Sequence, residues 1–301
     1  MKKKKKSAPL LRHAVSCDLH THSFYSDGAL PPKEMVRIAV EKNVRYWALT
    51  DHDTVDGLPE AAAAAADAEI VFIPGTEITI EDYEGRPFHL LGLGVDGGRA
   101  QLSALCRRQS ARRRERFLEI CRRIAAHGID IDGELILSSE RGAPGRLRIA
   151  RELIRLKKVC SLQEAFARYL GAHTGNVVPF EKTPLEEAVA AIRDAGGLTF
   201  VAHPLSLNLN WDRTEAFLSD VKARGVDGVE VVHSSCSAVR MRYLLAAAQR
   251  LGMLISGGSD FHGSDKPNAV FGRTSDGKPI PLFCLPTVLK EKYCQSLANG
   301  L

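Results

Sequence analysis

Short runs suited to buried strands, each ending in polar or ionisable residues, alternate with segments of helical period along most of this chain. Val15 to Leu19 leads into His20-Thr21-His22, and Tyr46 to Leu49 into Thr50-Asp51-His52-Asp53. Ile70 to Ile73 runs into Pro74-Gly75-Thr76-Glu77, and Phe88 to Leu91 is a further strand with His89 inside it. The rhythm returns late in the chain. Leu198 to Ala202 precedes His203-Pro204, Gly228 to Val232 precedes His233, and Met253 to Ser256 precedes Ser259-Asp260-Phe261-His262. Helices are predicted from Pro31-Pro32 to about Lys42, near Pro59 to Asp67, over Leu185 to Ala195, near Thr214 to Ala223, and over Met241 to Leu251. Strand and helix in alternation imply parallel strands with helical crossovers, an α/β fold. Between about Gln101 and Tyr169 only helical periodicity is found. Leu102, Leu105, Phe117, Ile120 and Ile124 mark its apolar face, with Leu153, Ile154 and Phe166 further on. This stretch reads as a helical insertion, and the last forty residues, rich in Gly, Pro and Asp, read as loop.

Composition changes little. The chain has 301 residues, 45% hydrophobic and 26% charged, enough for one large core with an insertion. No apolar run approaches the ~20 residues of a membrane helix. Lys2 to Lys6 is followed by no signal-peptide apolar region, so residues 1–13 are expected to be a basic, disordered tail. Seven cysteines without a C-x-x-C pair argue for reduced thiols, a cytoplasmic location and no thiolate zinc site. A net charge of +5 favours a polyanionic partner only mildly.

The chemistry lies in where the ionisable residues fall. His20 and His22, spaced i, i+2 on an extended segment, point to the same side. Alone, such a pair is equally explained as two hydrogen-bonded polar side chains. Yet His52, Glu77, His203, His233, Asp260 and His262 also fall just past predicted strands, and in α/β barrels that rim is where side chains from different strands converge. A purely structural set would be scattered over both rims and the outer helices. Imidazole and carboxylate without thiolate suit manganese, zinc or iron, and two or three ions ~3.5–4 Å apart would polarise a phosphoryl oxygen and lower the pKa of a bound water. Gly92-Leu93-Gly94-Val95-Asp96-Gly97 fits a dinucleotide fingerprint, but no βαβ unit follows it, so it reads as a turn.

Asp18-Leu19-His20-Thr21-His22, Thr50-Asp51-His52-Asp53, Pro74-Gly75-Thr76-Glu77, Phe88-His89-Leu90-Leu91-Gly92, Ala202-His203-Pro204 and Ser259-Asp260-Phe261-His262 occur in the order of the polymerase-and-histidinol-phosphatase (PHP) family. The chain resembles that family from about Ala14 to Arg273. The resemblance implies a distorted (β/α)7 barrel, residues 14–100 and 179–280, around an insertion at 101–178, with 281–301 a C-terminal tail. It also implies a metal centre of two or three divalent ions, manganese first and zinc or iron next. Its ligands would be His20, His22, Asp27, His52, Glu77, His89, His203, Asp260 and His262. Of these, Asp27 lies in Ser26-Asp27-Gly28, which from spacing alone is only a turn.

Pro179-Phe180-Glu181-Lys182-Thr183-Pro184 and Gly196-Gly197 resemble the stand-alone bacterial branch of the family. That branch is similar in activity to a 3',5'-nucleoside bisphosphate phosphatase and 5'-to-3' exoribonuclease. The implied substrate is a small nucleotide or short RNA, with no DNA, membrane or protein partner. Histidinol phosphate is the alternative substrate, and a catalytically silent metal-stabilised binding module the alternative of another class. The branch tends to carry Gly-Arg-x-His-Ile-Ala-Arg, where this chain has Gly145-Arg146-Leu147-Arg148-Ile149-Ala150-Arg151, so Arg148 replaces a histidine. Arg146, Arg148, Lys182, His233 and Arg273 are the candidate substrate-binding residues, and His233 and Asp51 the candidate catalytic groups. Arg107, Arg108, Arg112, Arg113, Arg114, Arg116, Arg122 and Arg123 form either a solvated helix face or a basic approach for a phosphate-bearing ligand.

Overall fold

The computed structural model describes residues 15–139 and 144–298, so the basic stretch at 1–13 lies outside the described residues. Seven strands form one sheet in sequence order: β1 (Ser16–Asp18), β2 (Val44–Leu49), β3 (Val71–Tyr83), β4 (Arg86–Leu93), β5 (Leu198–Val201), β6 (Gly228–His233) and β7 (Leu254–Gly258). The sheet curls until its edges meet. The Leu19 N–H donates to the Gly257 carbonyl at 3.1 Å, the Asp260 N–H donates to the His20 carbonyl at 2.9 Å, and Thr21 bridges to Phe261. Gly258 permits that approach, because a Cβ there would lie 2.2 Å from the Cβ of His20. The result is a distorted seven-stranded α/β barrel.

Two expectations are corrected. β1, β2 and β3 run parallel, as do β5, β6 and β7, but β4 is antiparallel to both of its neighbours. Between Tyr83 and Arg86 the chain reverses on Glu84 and Gly85, with φ of 49° and 74°. Positive φ at both positions matches the strand twist of a two-residue hairpin. β3 therefore continues to the hairpin, and Glu77 lies within it rather than beyond its end. The second correction is at the C-terminus, where helix α10 (Thr287–Ala298) replaces the expected loop and buries Leu289 in the main core.

Helices α1 (Pro32–Glu41) and α2 (Leu58–Ala66) cover the first strands. In α1, Met35, Val36 and Ala39 make one buried face behind a proline start. The insertion holds α3 (Ala100–Ala125), α4 (Gly133–Ser139), α5 (Arg146–Arg155) and the short α6 (Leu162–Ala165). Then come α7 (Leu185–Asp194), α8 (Trp211–Ala223) and α9 (Ala238–Leu251). Two cores result. Trp47, Ile73, Ile78, Leu90 and Phe200 belong to the barrel core, while Phe117, Ile120, Ile124, Ile149 and Leu153 close a separate one within the insertion.

Helix α3 spans about 39 Å at 1.5 Å per residue and joins the two parts through its arginines. Arg108 pairs with Glu187, Arg112 with Glu181, Arg113 with Asp53 and Arg114 with Glu134. Arg116 donates to the Val178 carbonyl, Arg107 to Ser103, and Arg122 and Arg123 pair with Glu119. All eight are engaged within the chain: Arg108, Arg112, Arg113, Arg114, Arg116 and Arg123 fasten α3 to other segments, while Arg107 and Arg122 bond within the helix.

Candidate metal centre

β1 ends where its chain turns over the barrel mouth, and His20 and His22 there are fully buried. The i, i+2 spacing works as expected, since their Nε2 atoms lie 3.1 Å apart. Glu77 reaches the same point from the middle of β3, with Oε2 at 3.3 Å from His20, 3.1 Å from His22 and 3.0 Å from His52. Its other oxygen lies 3.0 Å from both His89 and His203. Because β4 runs in reverse, His89 sits opposite Thr79 in the hairpin and comes to the mouth from within its strand.

Nitrogen and oxygen donors form four overlapping sets whose atoms lie within 4.8 Å of one another: His22, Asp27, His52 and His262; His20, Glu77 and His203; His20, His22 and Asp260; His52, Glu77 and His89. Together these contain all nine residues that the family resemblance implies. His20, His22, His52 and Glu77 each belong to two sets.

The turn carrying Asp27 is built by Asp51. Its carboxylate accepts the Ser23 N–H at 2.7 Å, the Ser23 hydroxyl at 2.6 Å and the Ser26 hydroxyl at 2.6 Å. Gly28 follows because a Cβ there would meet the His22 carbonyl oxygen at 2.2 Å. Asp51 is 2% exposed and both its oxygens are occupied, so its expected catalytic role is corrected to holding the Ser26-Asp27-Gly28 turn. His203 and Asp260 take left-handed backbone at φ of 28° and 55°. Strain of this kind costs about 1–3 kcal/mol per residue and persists where surrounding structure enforces it.

The electrostatics are those of a buried charge cluster. Burial alone would raise the Glu77 carboxyl, but the imidazoles of His52, His20 and His89 outweigh it and hold it well below its usual range. Asp27 is likewise depressed against burial by His262 and His52, and Asp260 by His22 and His233. In turn, Glu230 and Glu77 raise His20 against its own burial, whereas burial dominates at His52 and His89 and lowers both.

Residues the sequence did not single out complete the frame. Glu230 on β6 accepts from His20 Nδ1 at 3.0 Å and from the His203 N–H at 2.7 Å. Asp18 accepts from the Ser259 N–H and hydroxyl and from the Gly272 N–H, tying β1 to the loop after β7. Lys266 donates to Asp260 Oδ2 at 2.9 Å. A lone carboxylate in the apolar run Val229 to Val232 was the one available sign of Glu230.

Beside the cluster lies a cavity of about 910 Å³, lined on the barrel side by Asp27, His52, His89 and Lys266 and on the insertion side by Arg113, Arg116, Arg146, Phe166 and Phe180. Lys182 also lines it and pairs with Asp82. The other basic candidates do not. Arg148 is buried and its guanidinium donates to the Ser26 carbonyl at 3.4 Å, behind the Asp27 turn. Arg273 donates to the Lys42 carbonyl at 3.3 Å, where α1 ends before β2 begins. That is the opposite rim of the barrel, so its expected anion contact is corrected to a helix C-terminal one.

Donor sets sharing members at a barrel mouth, beside a guanidinium-lined cavity, define by class a metal-dependent phosphoesterase, a hydrolase of phosphoester bonds. A family model for the PHP domain matches residues 18–131. The 5'-3' exoribonuclease of Haemophilus influenzae is 36% identical over 247 residues, covering 81% of this chain and 89% of that protein. The 3',5'-nucleoside bisphosphate phosphatase of Chromobacterium violaceum is 34% identical over 274 residues, covering 90% and 95%. A solved structure of an amidohydrolase from Chromobacterium violaceum, with bound sulfate and no metal, superposes with a TM-score of 0.81 at 32% identity. That superposition covers 92% of this chain and 96% of the other. The chain belongs to the PHP-domain family.

Proposed function

We propose that this protein removes the 3'-phosphate from nucleoside 3',5'-bisphosphates and releases 5'-nucleotides from short RNA at the same site. The observation carrying this reading is the joining of the nine-donor cluster to a cavity that has both cationic and aromatic walls. Two relatives sharing most of the chain's length bear the names of these two activities.

The donor set fits divalent ions. His52 Nδ1, Glu77 Oε2 and His262 Nε2 are buried without a hydrogen-bond partner, which is costly unless something else satisfies them. His20, His22, Asp27, His52, Glu77, His89, His203, Asp260 and His262 would hold two or three ions, manganese first, with zinc or iron suited to the same donors. When bound, such ions supply Lewis acidity toward a phosphoryl oxygen and lower the pKa of water.

The chain's own groups do the rest. Glu230 fixes the ring of His20, with Nδ1–H donated to its carboxylate and Nε2 left as a lone pair facing the cluster. The Asp260 carbonyl takes Nδ1–H of His262 at 2.8 Å to the same effect. Arg146, stacked at 5.6 Å over Phe166, and Lys182 hold the phosphate that is not cleaved, and Phe180 offers an apolar wall for the nucleoside. A substrate with two phosphates uses both ends of this cavity. Histidinol phosphate would use only one.

Phosphate release from adenosine 3',5'-bisphosphate, a short 5'-phosphorylated RNA and histidinol phosphate, with manganese and then with chelator, tests the proposal. Turnover of the first two, abolished by chelator, is expected. Turnover of histidinol phosphate alone would overturn the substrate assignment.

A further inference from the structure

The imidazoles facing the cluster differ in how their outer nitrogens are held. His20 and His262 face acceptors through Nδ1, the Glu230 carboxylate and the Asp260 carbonyl, so Nδ1 carries a proton and Nε2 is the nitrogen turned to the cluster. His233, the last residue of β6, is the reverse. Its Nδ1 accepts the backbone N–H of Ser235 at 3.1 Å, and the Ser235 hydroxyl lies at 2.8 Å. A proton on Nδ1 would point at that N–H, so in the neutral ring the proton sits on Nε2. That atom is buried, has no hydrogen-bond partner, and faces the cluster 3.5 Å from Asp260 Oδ2. The ring centroid lies 5.7 Å from that of His203 and 6.2 Å from that of His20.

We infer that His233 is locked by the Ser235 backbone as an Nε2–H donor and supplies a hydrogen bond to a phosphoryl oxygen of the substrate, rather than a lone pair to a metal ion. A nitrogen that carries a proton cannot ligate, and a buried N–H aimed at a cluster of acceptors needs an oxygen to receive it. Asp260 Oδ2, 3.5 Å away, makes no hydrogen bond to it and is turned to the Lys266 ammonium at 2.9 Å. A phosphoryl group seated on the cluster presents oxygens at this wall, and a donor placed there strengthens its contact as charge builds on them during hydrolysis. The inference rests on the phosphoester reading above, but its first readouts do not depend on turnover.

Nitrogen-15 NMR of the full-length, histidine-labelled chain gives the tautomer directly, with the His233 ring assigned by its loss in His233→Gln. Protonation at Nε2 is expected, and protonation at Nδ1 overturns the inference. Metal content of manganese-loaded His233→Ala should equal that of the wild type, and loss of an ion per chain would make His233 a ligand and overturn it. Inorganic phosphate, titrated calorimetrically into the manganese-loaded proteins, should bind His233→Ala about tenfold more weakly, with His233→Gln partly restored through its amide N–H. Turnover should fall by about 10²–10³ in His233→Ala, the usual loss for one such donor. Unchanged phosphate binding in His233→Ala overturns the inference even if turnover falls. Should His233→Ala not fold, the wild-type tautomer and His233→Gln decide alone. A wild type that binds phosphate through His233 yet hydrolyses none of the substrates above would remove the substrate proposal and leave this one standing.

Discussion

At the scale of single residues, the site depends on carboxylates that touch histidines from behind as much as on the donors themselves. Glu230→Gln keeps shape but loses the charged acceptor for His20 Nδ1. It is expected to weaken manganese affinity by about 10–100-fold, measured by competition with a chromophoric chelator, with the fold intact by circular dichroism. Asp51→Ala removes the short-range acceptor of three buried donors of the Ser23–Ser26 turn. It should lower stability by about 2–4 kcal/mol in urea denaturation, and activity with it through Asp27. The donor histidines other than His89, which sits inside β4, were legible because each follows a run of strand-forming residues. Glu230 and Asp18 were not, because their partners stand 210 and 241 positions away and a lone carboxylate in or beside a strand does not say what it faces. Asp51 and Asp53 flank His52 in one motif, and sequence could not tell which of the three faces the mouth. The structure points Asp51 into the Asp27 turn and Asp53 toward α3.

At the scale of elements, α3 is held to the barrel by a buried ion pair. Arg113 Nε lies 2.6 Å from Asp53 Oδ2, and its guanidinium also donates to Thr79. Burial opposes ionisation of Asp53, but Arg113 and the Thr79 N–H outweigh it and hold the carboxyl below its usual range. A depressed carboxyl stabilises the fold when pH is above the unfolded value of about 3.9, and the effect is lost as pH falls through the lower folded value. Arg113→Met should therefore cost stability at neutral pH, and its acid unfolding, followed by fluorescence, should begin at higher pH than in the wild type. Equal stability of variant and wild type at neutral pH would show that the pair contributes nothing. Helix α10 was hidden because its apolar positions are few, and among its residues with described side chains Leu289 alone is fully buried. Leu289→Ala should cost about 2–5 kcal/mol, the range for emptying such a core position, read from its denaturation midpoint. The β3–β4 hairpin was missed for another reason. Strand-helix alternation suggested crossovers everywhere, and Glu84-Gly85 is a weaker turn sign than the usual Asn-Gly.

At the scale of the whole molecule, closure of the sheet and the binding cluster are one construction. β7 meets β1 beside His20, so the contacts that seal the barrel also bring Asp260 and His262 to the histidines of β1. The barrel with its ligand-bearing rim was legible in the rhythm and order of the motifs. The second core and the cavity between barrel and insertion were not, since they depend on how α3 crosses the mouth. Cations that bind the folded donor cluster and not the unfolded chain should raise the thermal midpoint, and chelator should lower it.

Metal content after dialysis against manganese, measured by inductively coupled plasma mass spectrometry, tests the central claim most directly. Two or three ions per chain are expected in the wild type, with at least one lost in His22→Ala, whose ring belongs to two of the four donor sets. Fewer than one ion per chain, or a content that His22→Ala leaves unchanged, would contradict the account.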